Sequence, residues 1–468
     1  MTKKVSKVPE SRIERKRKVA VVGMGPSGIA TLKNLRDRGI ECVGYESHSE
    51  IGGIWNRENP KSSAYRNTHT ITSKEVTAFK DLPLNRDLPV YPRHDQILDY
   101  LQQYVERYGL RKFIRFNHSV EKTEKLNNGW KVHTSVGTSD TYTDLVIANG
   151  HNWHPRYPDL NGKFDGKVIH ARDYEDAKCM SDKRVLVIGG GNSACDIAVE
   201  CSQLAEKTDM SMRRRYNFYP KFILGKPTDQ VGAYVRSLGL PVYVSSRLMK
   251  LLIRFSLGRQ EDLGLPKSDH LPLETPAIIN SLVPYYIAHG RVGLRPAIKK
   301  VDGRRVYFED GTSDEFDVIV AATGYEVYIP FVEPKYLSWG KYSPDFYLFA
   351  FSPRYNDLFI SGMTDSTGGH FPTVDLQSQV IAAYIKAKEE NPLNADRFDN
   401  LKQSQEIDLH GGVDFIDVPR NATQFILGLF KQELHNHLEL LEPAEQKRQW
   451  KPFFNFKEIF NTRFAWKK

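Results

Sequence analysis

The sequence is poor in cysteine and contains no long apolar run. Its four cysteines are Cys42, Cys179, Cys195 and Cys201, and no two of them form a C-x-x-C pair. Neither a cysteine zinc site nor a redox-active disulfide is therefore supported. No stretch approaches the roughly 18 apolar residues of a membrane-spanning helix, and no signal-peptide-like apolar run follows the basic N-terminus. These absences predict a cytoplasmic protein that holds no metal.

The formal net charge of +9 is concentrated at the two ends of the chain. Residues 1–18 and 447–468 each carry +6, which leaves −3 for the rest of the 468 residues. A basic nucleic-acid-binding face is therefore not expected on the body of the protein. The ends are interpreted as solvated tails. A chain of this length, with 40% hydrophobic residues, predicts two or three globular domains.

A strand, a glycine-rich turn and a helix follow one another near the N-terminus. The apolar run 18–22 precedes G-x-G-x-x-G at 23–28, and helical apolar spacing begins at Ile29. Such glycines permit a tight turn, a close approach to a pyrophosphate and helix–strand packing, while the helix N-terminus attracts phosphate. The next strand is predicted at 41–45 and is followed by Glu46, at a point where a carboxylate can bind an unphosphorylated ribose, as in FAD or NAD. The predicted contacts are Gly23, Gly25, Pro26, Ser27, Gly28 and Glu46.

A second unit of the same kind begins 166 residues later. The apolar run 184–188 precedes G-x-G-x-x-A at 189–194 and a helix. The next strand, predicted at 208–212, ends in arginines and not in an acid. Guanidinium groups at this point suit the 2′-phosphate of NADP, although they could also be plain surface charges. The predicted contacts are Gly189, Gly191, Asn192, Ser193, Asp196, Arg213 and Arg214.

The segment between the two loops carries F-x-G-x-x-x-H-x-x-x-Y from Phe164 to Tyr174, and a later strand ends in A-T-G-Y at 322–325. With the two loops, these motifs resemble the flavin-containing monooxygenases, which are class B flavoprotein monooxygenases, in their soluble bacterial form. The resemblance covers about residues 19–390. It implies an α/β fold with two Rossmann-like dinucleotide-binding domains, one for FAD and one for NADPH.

The resemblance also implies domain boundaries. The FAD-binding domain would be discontinuous, at 19–152 and 326–446, and the NADPH-binding domain would occupy 153–325. A basic tail, 1–18, precedes them, and a basic aromatic segment, 447–468, follows. Aromatic residues recur in that last segment at helical spacing, so a helix is expected there. It either docks on the body with its aromatics buried or lies weakly on an anionic membrane.

Further site residues follow from the resemblance. G-G-x-W at 52–55 marks a segment beside the flavin, which adds Gly53, Ile54 and Trp55 to the FAD contacts. Gln377 is expected near the flavin. His170 lies in the fingerprint between the domains, where it is expected to order that segment for NADPH binding and not to act as a catalytic base.

One position departs from the family. The stretch 65–75 aligns with the family segment beside the flavin ring, and Ile71 stands where most members have asparagine. Isoleucine neither donates nor accepts a hydrogen bond. The candidates at the flavin face are Thr70, Ile71 and Thr72, with Asn67 as a further substitute. The departure leaves two of the family's properties open for this chain: a long-lived peroxyflavin, and the usual amine and sulfide substrates.

The resemblance implies N,N-dimethylaniline monooxygenase-type activity. NADPH would reduce FAD, and a C4a-hydroperoxyflavin would transfer one oxygen atom from O2 to a soft nitrogen or sulfur, with no side chain strictly required as a catalyst. Alternatives are Baeyer–Villiger oxidation or oxidative decarboxylation of a carbonyl substrate, and an NADPH oxidase that releases hydrogen peroxide. A flavin-bearing binding protein without turnover is a further alternative. A homodimer is the default expectation.

A second apolar stripe occurs in the middle of the chain. Leu248, Leu251, Leu252 and Phe255 recur at helical spacing, among Arg247, Lys250 and Arg254. It is expected to be part of the core or the wall of a substrate channel, and not an anchor.

Overall fold

The computed structural model describes residues 16–271, 274–366 and 368–442. A five-stranded parallel sheet forms the centre of what we call the first lobe. In spatial order its strands are Leu358–Ile360, Asp144–Ile147, Lys18–Val22, Glu41–Tyr45 and Ile114–Arg115. The central strands are runs of buried aliphatic residues, as expected for parallel strands covered on both faces.

A second five-stranded parallel sheet forms the centre of the second lobe. Its strands in spatial order are Gly293–Arg295, Lys207–Ser211, Arg184–Ile188, Val318–Ala321 and Lys167–His170. The strand expected at 208–212 is therefore found one residue earlier. In both sheets the strand that precedes the glycine loop lies in the middle, so each loop emerges at the centre of a sheet's carboxyl edge.

The helix that follows each glycine loop packs on the sheet of its lobe. The described residues form ten α-helices in all. They are α1 (Pro26–Asp37), α2 (Lys74–Thr77), α3 (His94–Arg107), α4 (Asn192–Cys201), α5 (Thr228–Ser237), α6 (Val242–Leu257), α7 (Leu282–Ala288), α8 (His370–Glu390), α9 (Pro392–Ser404) and α10 (Leu427–Leu441). Short 3-10 turns lie at Gly53–Trp55, Arg111–Phe113, Ala171–Asp173, Ala177–Met180, Gln260–Leu263, Pro334–Tyr336 and Pro419–Asn421. The helix α8 packs along α1 and is buried over most of its length, because apolar or small residues occupy most of its circumference.

Smaller sheets complete the two lobes. Three-stranded antiparallel sheets are formed by Val120–Leu126, Gly129–Thr134 and Ser139–Tyr142, and by Ile298–Asp302, Arg305–Phe308 and Ser313–Glu315. Two-stranded pairs join Phe218–Tyr219 to Ile278–Ile279, Phe222–Ile223 to Lys226–Pro227, Tyr325–Glu326 to His154–Pro155, and Asp365–Ser366 to Gln424–Phe425.

The two chain crossings between the lobes lie side by side. The first leaves the strand Asp144–Ile147, the second leaves Val318–Ala321, and their continuations pair as His154–Pro155 with Tyr325–Glu326. The Arg156 N–H adds a hydrogen bond of 3.0 Å to the Gly324 carbonyl. The lobes are therefore joined by a double connection at the level of both glycine loops.

Some expectations concern residues outside the described part, and one is met only in part. Residues 1–15 and the whole segment 447–468 lie outside the described part, so their predicted roles stay predictions. Within that part, no helix combines the length and apolarity needed to cross a membrane, and no group of three or more His, Cys, Asp or Glu side chains is placed to hold a metal ion. In α6, Leu248 and Leu252 are half-buried, but Leu251 and Phe255 face solvent, so the stripe is not wholly core.

Candidate functional site

The first glycine loop is closely packed where glycine is required. Gly23 has φ +101°, and a Cβ there would lie 2.6 Å from the Ala148 carbonyl oxygen. A Cβ on Gly28 would lie 1.8 Å from the Gly23 oxygen. Gly25 differs, since its Cβ would lie 3.6 Å from the Cα of Gly53, an ordinary contact. The glycine loop and the segment at Gly53 thus face each other at Gly25 and Gly53, where neither has a side chain. We call the space between them the cradle of the first loop.

The start of α1 opens into the same cradle. Pro26 begins the helix after Gly25, no side chain caps it, and its first turn holds no acidic residue. The first-turn N–H groups, including that of the half-buried Ser27, are therefore oriented as in a phosphate site. The 3-10 turn Gly53–Trp55, with Ile54 at its centre, borders the cradle, and the Gly52 N–H donates to the Met24 carbonyl at 3.0 Å.

Two predicted FAD residues are held by backbone contacts. Glu46 is 4% exposed, and its carboxylate accepts hydrogen bonds of 2.9 Å from the N–H groups of Met24 and His48. Gln377 is fully buried; its Oε1 accepts from the Gly362 N–H at 2.9 Å and its amide donates to the Leu348 carbonyl at 3.1 Å. Glu46 thus lies at the loop, whereas Gln377 fixes two backbone segments, and a flavin contact for either stays a prediction.

The second glycine loop has the same design. Gly189 has φ +135°, and a Cβ there would lie 2.4 Å from the Ala322 carbonyl oxygen. The helix α4 begins after Gly191 with no side-chain cap and no acidic residue in its first turn. Ser193 is half-buried in that turn. The side chain of Asn192 accepts from the Ile279 N–H at 2.8 Å, which ties the loop to a neighbouring strand.

Arginines gather beyond the strand Lys207–Ser211. Arg213 is exposed and Arg214 half-buried. Arg156 lies near both, and burial together with these two positive charges lowers the pKa of its guanidinium, against the opposing charge of Glu326. Its Nη2 donates to the Thr323 carbonyl at 2.6 Å. Sequence reasoning missed Arg156, whose only signal was its place just after the first crossing.

His170 is fully buried, and both of its ring nitrogens contact the backbone. Nε2 lies 3.1 Å from the Gly324 carbonyl oxygen, and Nδ1 accepts from the Arg172 N–H at 3.1 Å. Burial lowers the pKa of the imidazole, which favours the neutral ring with its proton on Nε2. The histidine therefore ties its strand to the second crossing, a geometry that suits the ordering role.

The segment 65–73, which we call the flavin-adjacent segment after its predicted position, is tied to the second lobe by five of its residues. The contacts are Tyr65 hydroxyl to Asp196 at 2.7 Å, Arg66 Nη1 to Asp176 at 3.1 Å and Arg66 N–H to the Glu175 carbonyl at 3.0 Å, Asn67 amide to Glu200 at 2.7 Å, Lys221 Nζ to His69 Nε2 at 2.6 Å, and Ser73 N–H and hydroxyl to Asp229 at 2.7 and 2.8 Å. Asp196 also accepts a hydrogen bond from the Asn280 amide at 2.7 Å, so its carboxylate joins α4 both to the flavin-adjacent segment and to the chain at Asn280.

Thr70 and Thr72 contact the first lobe. Thr70 is 3% exposed, its N–H donates to the Pro92 carbonyl at 2.9 Å, and its enclosed hydroxyl has no hydrogen-bond partner among the described residues. The Thr72 hydroxyl is 2.8 Å from that of Thr77. Ile71 is 40% exposed. Of the three flavin-face candidates, Thr70 therefore has the enclosed polar group that a bound molecule could satisfy.

These features fit two dinucleotides. Each lobe offers a glycine cradle at an uncapped helix N-terminus, which suits a pyrophosphate. The acid Glu46 follows the first loop, and the cations Arg213 and Arg214 follow the second. A carboxylate suits a free ribose hydroxyl, and guanidinium groups suit a phosphorylated one.

Comparison with known proteins agrees with an enzyme that binds two dinucleotides. The family profile "Flavin-binding monooxygenase-like" matches residues 16–426. Dimethylaniline monooxygenase 2 (N-oxide-forming) of Oryctolagus cuniculus is 31% identical over 386 residues, which make up 78% of this chain and 72% of that relative. The structure of S-allyl-L-cysteine S-oxygenase from Allium sativum superposes with a TM-score of 0.62 at 20% identity, over 92% of this chain and 91% of that one.

Cyclohexanone monooxygenase from Rhodococcus sp. Phi1, bound to NADP⁺, superposes with a TM-score of 0.63 at 19% identity, over 90% of this chain and 97% of that one. At such identities the solved structures establish the fold and not the reaction. The resemblance, the α/β fold with two Rossmann-like domains, and FAD and NADPH as cofactors are thereby confirmed. The chain belongs to the flavin-binding monooxygenase family and is an oxidoreductase that acts with O2 on a small-molecule substrate.

Proposed function

We propose that this enzyme transfers one oxygen atom of O2 to a soft nitrogen or sulfur of its substrate, at the expense of NADPH. The observation that carries the proposal is the position of the flavin-adjacent segment. Tyr65 binds Asp196 in the helix that follows the second loop, and the same segment carries the enclosed Thr70 hydroxyl, which has no hydrogen-bond partner among the described residues. A free hydroxyl in a segment that is tied to the helix of the second loop suits a reaction in which both cofactors and oxygen meet.

The proposed cofactor assignment follows the loops. FAD would be held by residues 23–28, Glu46 and 53–55 in a discontinuous domain of 19–152 and 326–446. NADPH would be held by residues 189–193 with Arg213 and Arg214, in a domain of 153–325. When bound, the two cofactors supply hydride transfer and oxygen activation. The chain's own residues bind, orient and enclose them.

Nitrogen or sulfur is favoured as the acceptor for two reasons. A neutral amine or sulfide attacks with its own lone pair, so no side chain must first remove a proton, and the one histidine of the fingerprint has both nitrogens engaged by backbone groups. The relative at 31% identity is described as N-oxide-forming. Thr70 is proposed as the donor in place of the usual asparagine.

A second candidate is an NADPH oxidase that releases hydrogen peroxide. Ile71 favours it, because this half-exposed apolar side chain offers no hydrogen bond at the position where most family members have an amide. The two candidates share both cofactors and differ only in the fate of the oxygen atoms.

The test is aerobic turnover of the purified, FAD-loaded enzyme with NADPH and ¹⁸O₂, in the presence of a tertiary amine, a thioether or a cyclic ketone. NADPH consumption, hydrogen peroxide and product mass are measured together. An ¹⁸O-labelled N-oxide or sulfoxide is expected. A labelled ester would identify Baeyer–Villiger oxidation, and peroxide equal to the NADPH consumed would identify an oxidase. No NADPH consumption would indicate a flavin-bearing binding protein.

A further inference from the structure

Exposed apolar side chains are concentrated on one unit of the second lobe. The unit consists of the hairpin 222–227 with α5 and α6. Nine of the twenty large hydrophobic residues that are exposed in the described part lie between 222 and 255. The most exposed are Phe255 at 79%, Leu224 at 70% and Leu251 at 63%. Scattered single apolar residues are normal on a surface, but a concentration of this kind marks an interaction site.

The unit already uses its inner face for packing. Ile223, Val235 and Met249 form a small core, and Leu248, Leu252 and other half-buried residues pack against it. The outer face of α6 carries Val244, Leu251 and Phe255, which follow one another at i, i+7 and i+11 and so share one side of the helix. We call these residues, with Tyr243 beside them in the first turn of α6, the outer patch.

Basic residues border the outer patch. Arg247, Lys250 and Arg254 stand at i, i+3 and i+7 on the adjacent side of α6. The Arg247 guanidinium lies 4.4 Å from the centre of the Tyr243 ring. No Asp or Glu occurs from 230 to 260, although the body of the chain between its two tails carries a net −3. Apolar and basic residues thus share the exposed side of a segment that itself contains no acidic residue.

We propose that the outer patch docks on an anionic lipid surface. Such a surface accepts apolar side chains below its headgroups and offers lipid phosphates to basic residues. It therefore suits both the apolar outer patch and the basic residues beside it. A second copy of the chain fits less well, because a twofold contact would bring the same cations together. The segment 447–468 also fits less well, because its own charge is +6.

Binding of the full-length holoenzyme to vesicles tests the proposal. Sedimentation with vesicles of phosphatidylglycerol and phosphatidylcholine is compared with vesicles of phosphatidylcholine alone. We expect binding only to the anionic vesicles, and weaker binding as salt rises, since salt screens surface charges beyond about 8 Å at physiological ionic strength. The Leu251→Ser/Phe255→Ser variant should bind at least tenfold more weakly, and Arg247→Gln/Lys250→Gln/Arg254→Gln should lose the preference for anionic vesicles.

The matched control is Val136→Ser/Leu393→Ser, which removes two exposed apolar residues elsewhere, at 52% and 73% exposure, and should bind like the parent. Because all these side chains face solvent, FAD content and thermal midpoint should stay unchanged in each variant. Equal binding by parent and Leu251→Ser/Phe255→Ser would overturn the proposal, as would binding lost only on deletion of 447–468. A dimer in solution that Leu251→Ser/Phe255→Ser converts to monomer, without vesicle binding by the parent, would also overturn it and identify a subunit interface.

Discussion

The Nζ of Lys221 lies 2.6 Å from the Nε2 of His69, and this contact joins the second lobe to the flavin-adjacent segment. The Nδ1 of the same ring lies 3.0 Å from the Asn67 carbonyl oxygen, so a proton on Nδ1 leaves Nε2 free to accept from the ammonium group. Burial lowers the pKa of Lys221, against the nearby charge of Asp196. The half-buried ammonium group of Lys221 therefore contacts His69, which lies two residues before Ile71, the position where the chain departs from its family.

Replacement of this lysine should loosen the site without removing the flavin. Lys221→Met removes the contact of one of the five residues that tie the segment to the second lobe, so we expect several-fold more of the consumed NADPH to appear as hydrogen peroxide, with the FAD-to-protein ratio unchanged. Lys226→Met is the control, because Lys226 is an exposed residue of the hairpin 222–227 that follows Lys221 directly. Coupling unchanged in Lys221→Met would mean that the contact is not needed to enclose the site.

The Thr70 hydroxyl offers a sharper test, because valine has the same shape and no hydrogen-bonding group. If this hydroxyl contacts the flavin or its oxygen adduct, Thr70→Val should lower oxygenated product by up to about tenfold, the effect of one neutral hydrogen bond, and raise peroxide correspondingly. Thr72→Val is the control, since the Thr72 hydroxyl is directed to Thr77. A normal product yield from Thr70→Val would rule out this donor.

The arginines after the second loop should decide between NADPH and NADH. We expect Arg213→Gln/Arg214→Gln to raise KM for NADPH at least about tenfold, because charge-assisted contacts to the 2′-phosphate are lost, and to change KM for NADH little. Arg156→Gln should act in the same direction, whereas the exposed Arg215→Gln should not. An equal loss with both nucleotides would instead indicate general damage to the fold.

Short-range features of the fold could be predicted from the sequence, and long-range contacts could not. The strands 18–22, 41–45 and 184–188 have the predicted bounds, because each is a short, mostly apolar run that begins with a charged residue and is followed by glycine or glutamate. The hydrogen bonds between Asp229 and Ser73 join residues 156 positions apart, and no local pattern specifies them. The exposure of Phe255 was missed for the same reason, since periodicity shows which residues share a helix face but not what covers it.

Gly25 allows cofactor binding to be separated from folding. Its Cβ would make only an ordinary contact, at 3.6 Å from the Gly53 Cα, so Gly25→Ala should fold. The added methyl group would occupy the cradle in which we place the pyrophosphate, so the variant should purify with much less FAD and bind added FAD at least about tenfold more weakly. Absorbance at the flavin band and circular dichroism measure the two effects. Full FAD content would show that the pyrophosphate does not pass this glycine.

Buried His437 should make stability depend on pH in a defined window. It is 3% exposed, its Nε2 lies 2.9 Å from the Tyr347 hydroxyl, and burial lowers its pKa from 6.5 to about 4. The unfolded chain therefore binds a proton as pH falls below 6.5, while the folded protein resists protonation until about pH 4. This group alone should lower the free energy of unfolding by about 3 kcal/mol across that window. His437→Gln keeps a hydrogen-bonding group but does not titrate, so urea unfolding at several pH values should show a correspondingly shallower loss of stability for the variant. Parallel curves for the parent and the variant would mean that the folded protein protonates His437 as readily as the unfolded chain does.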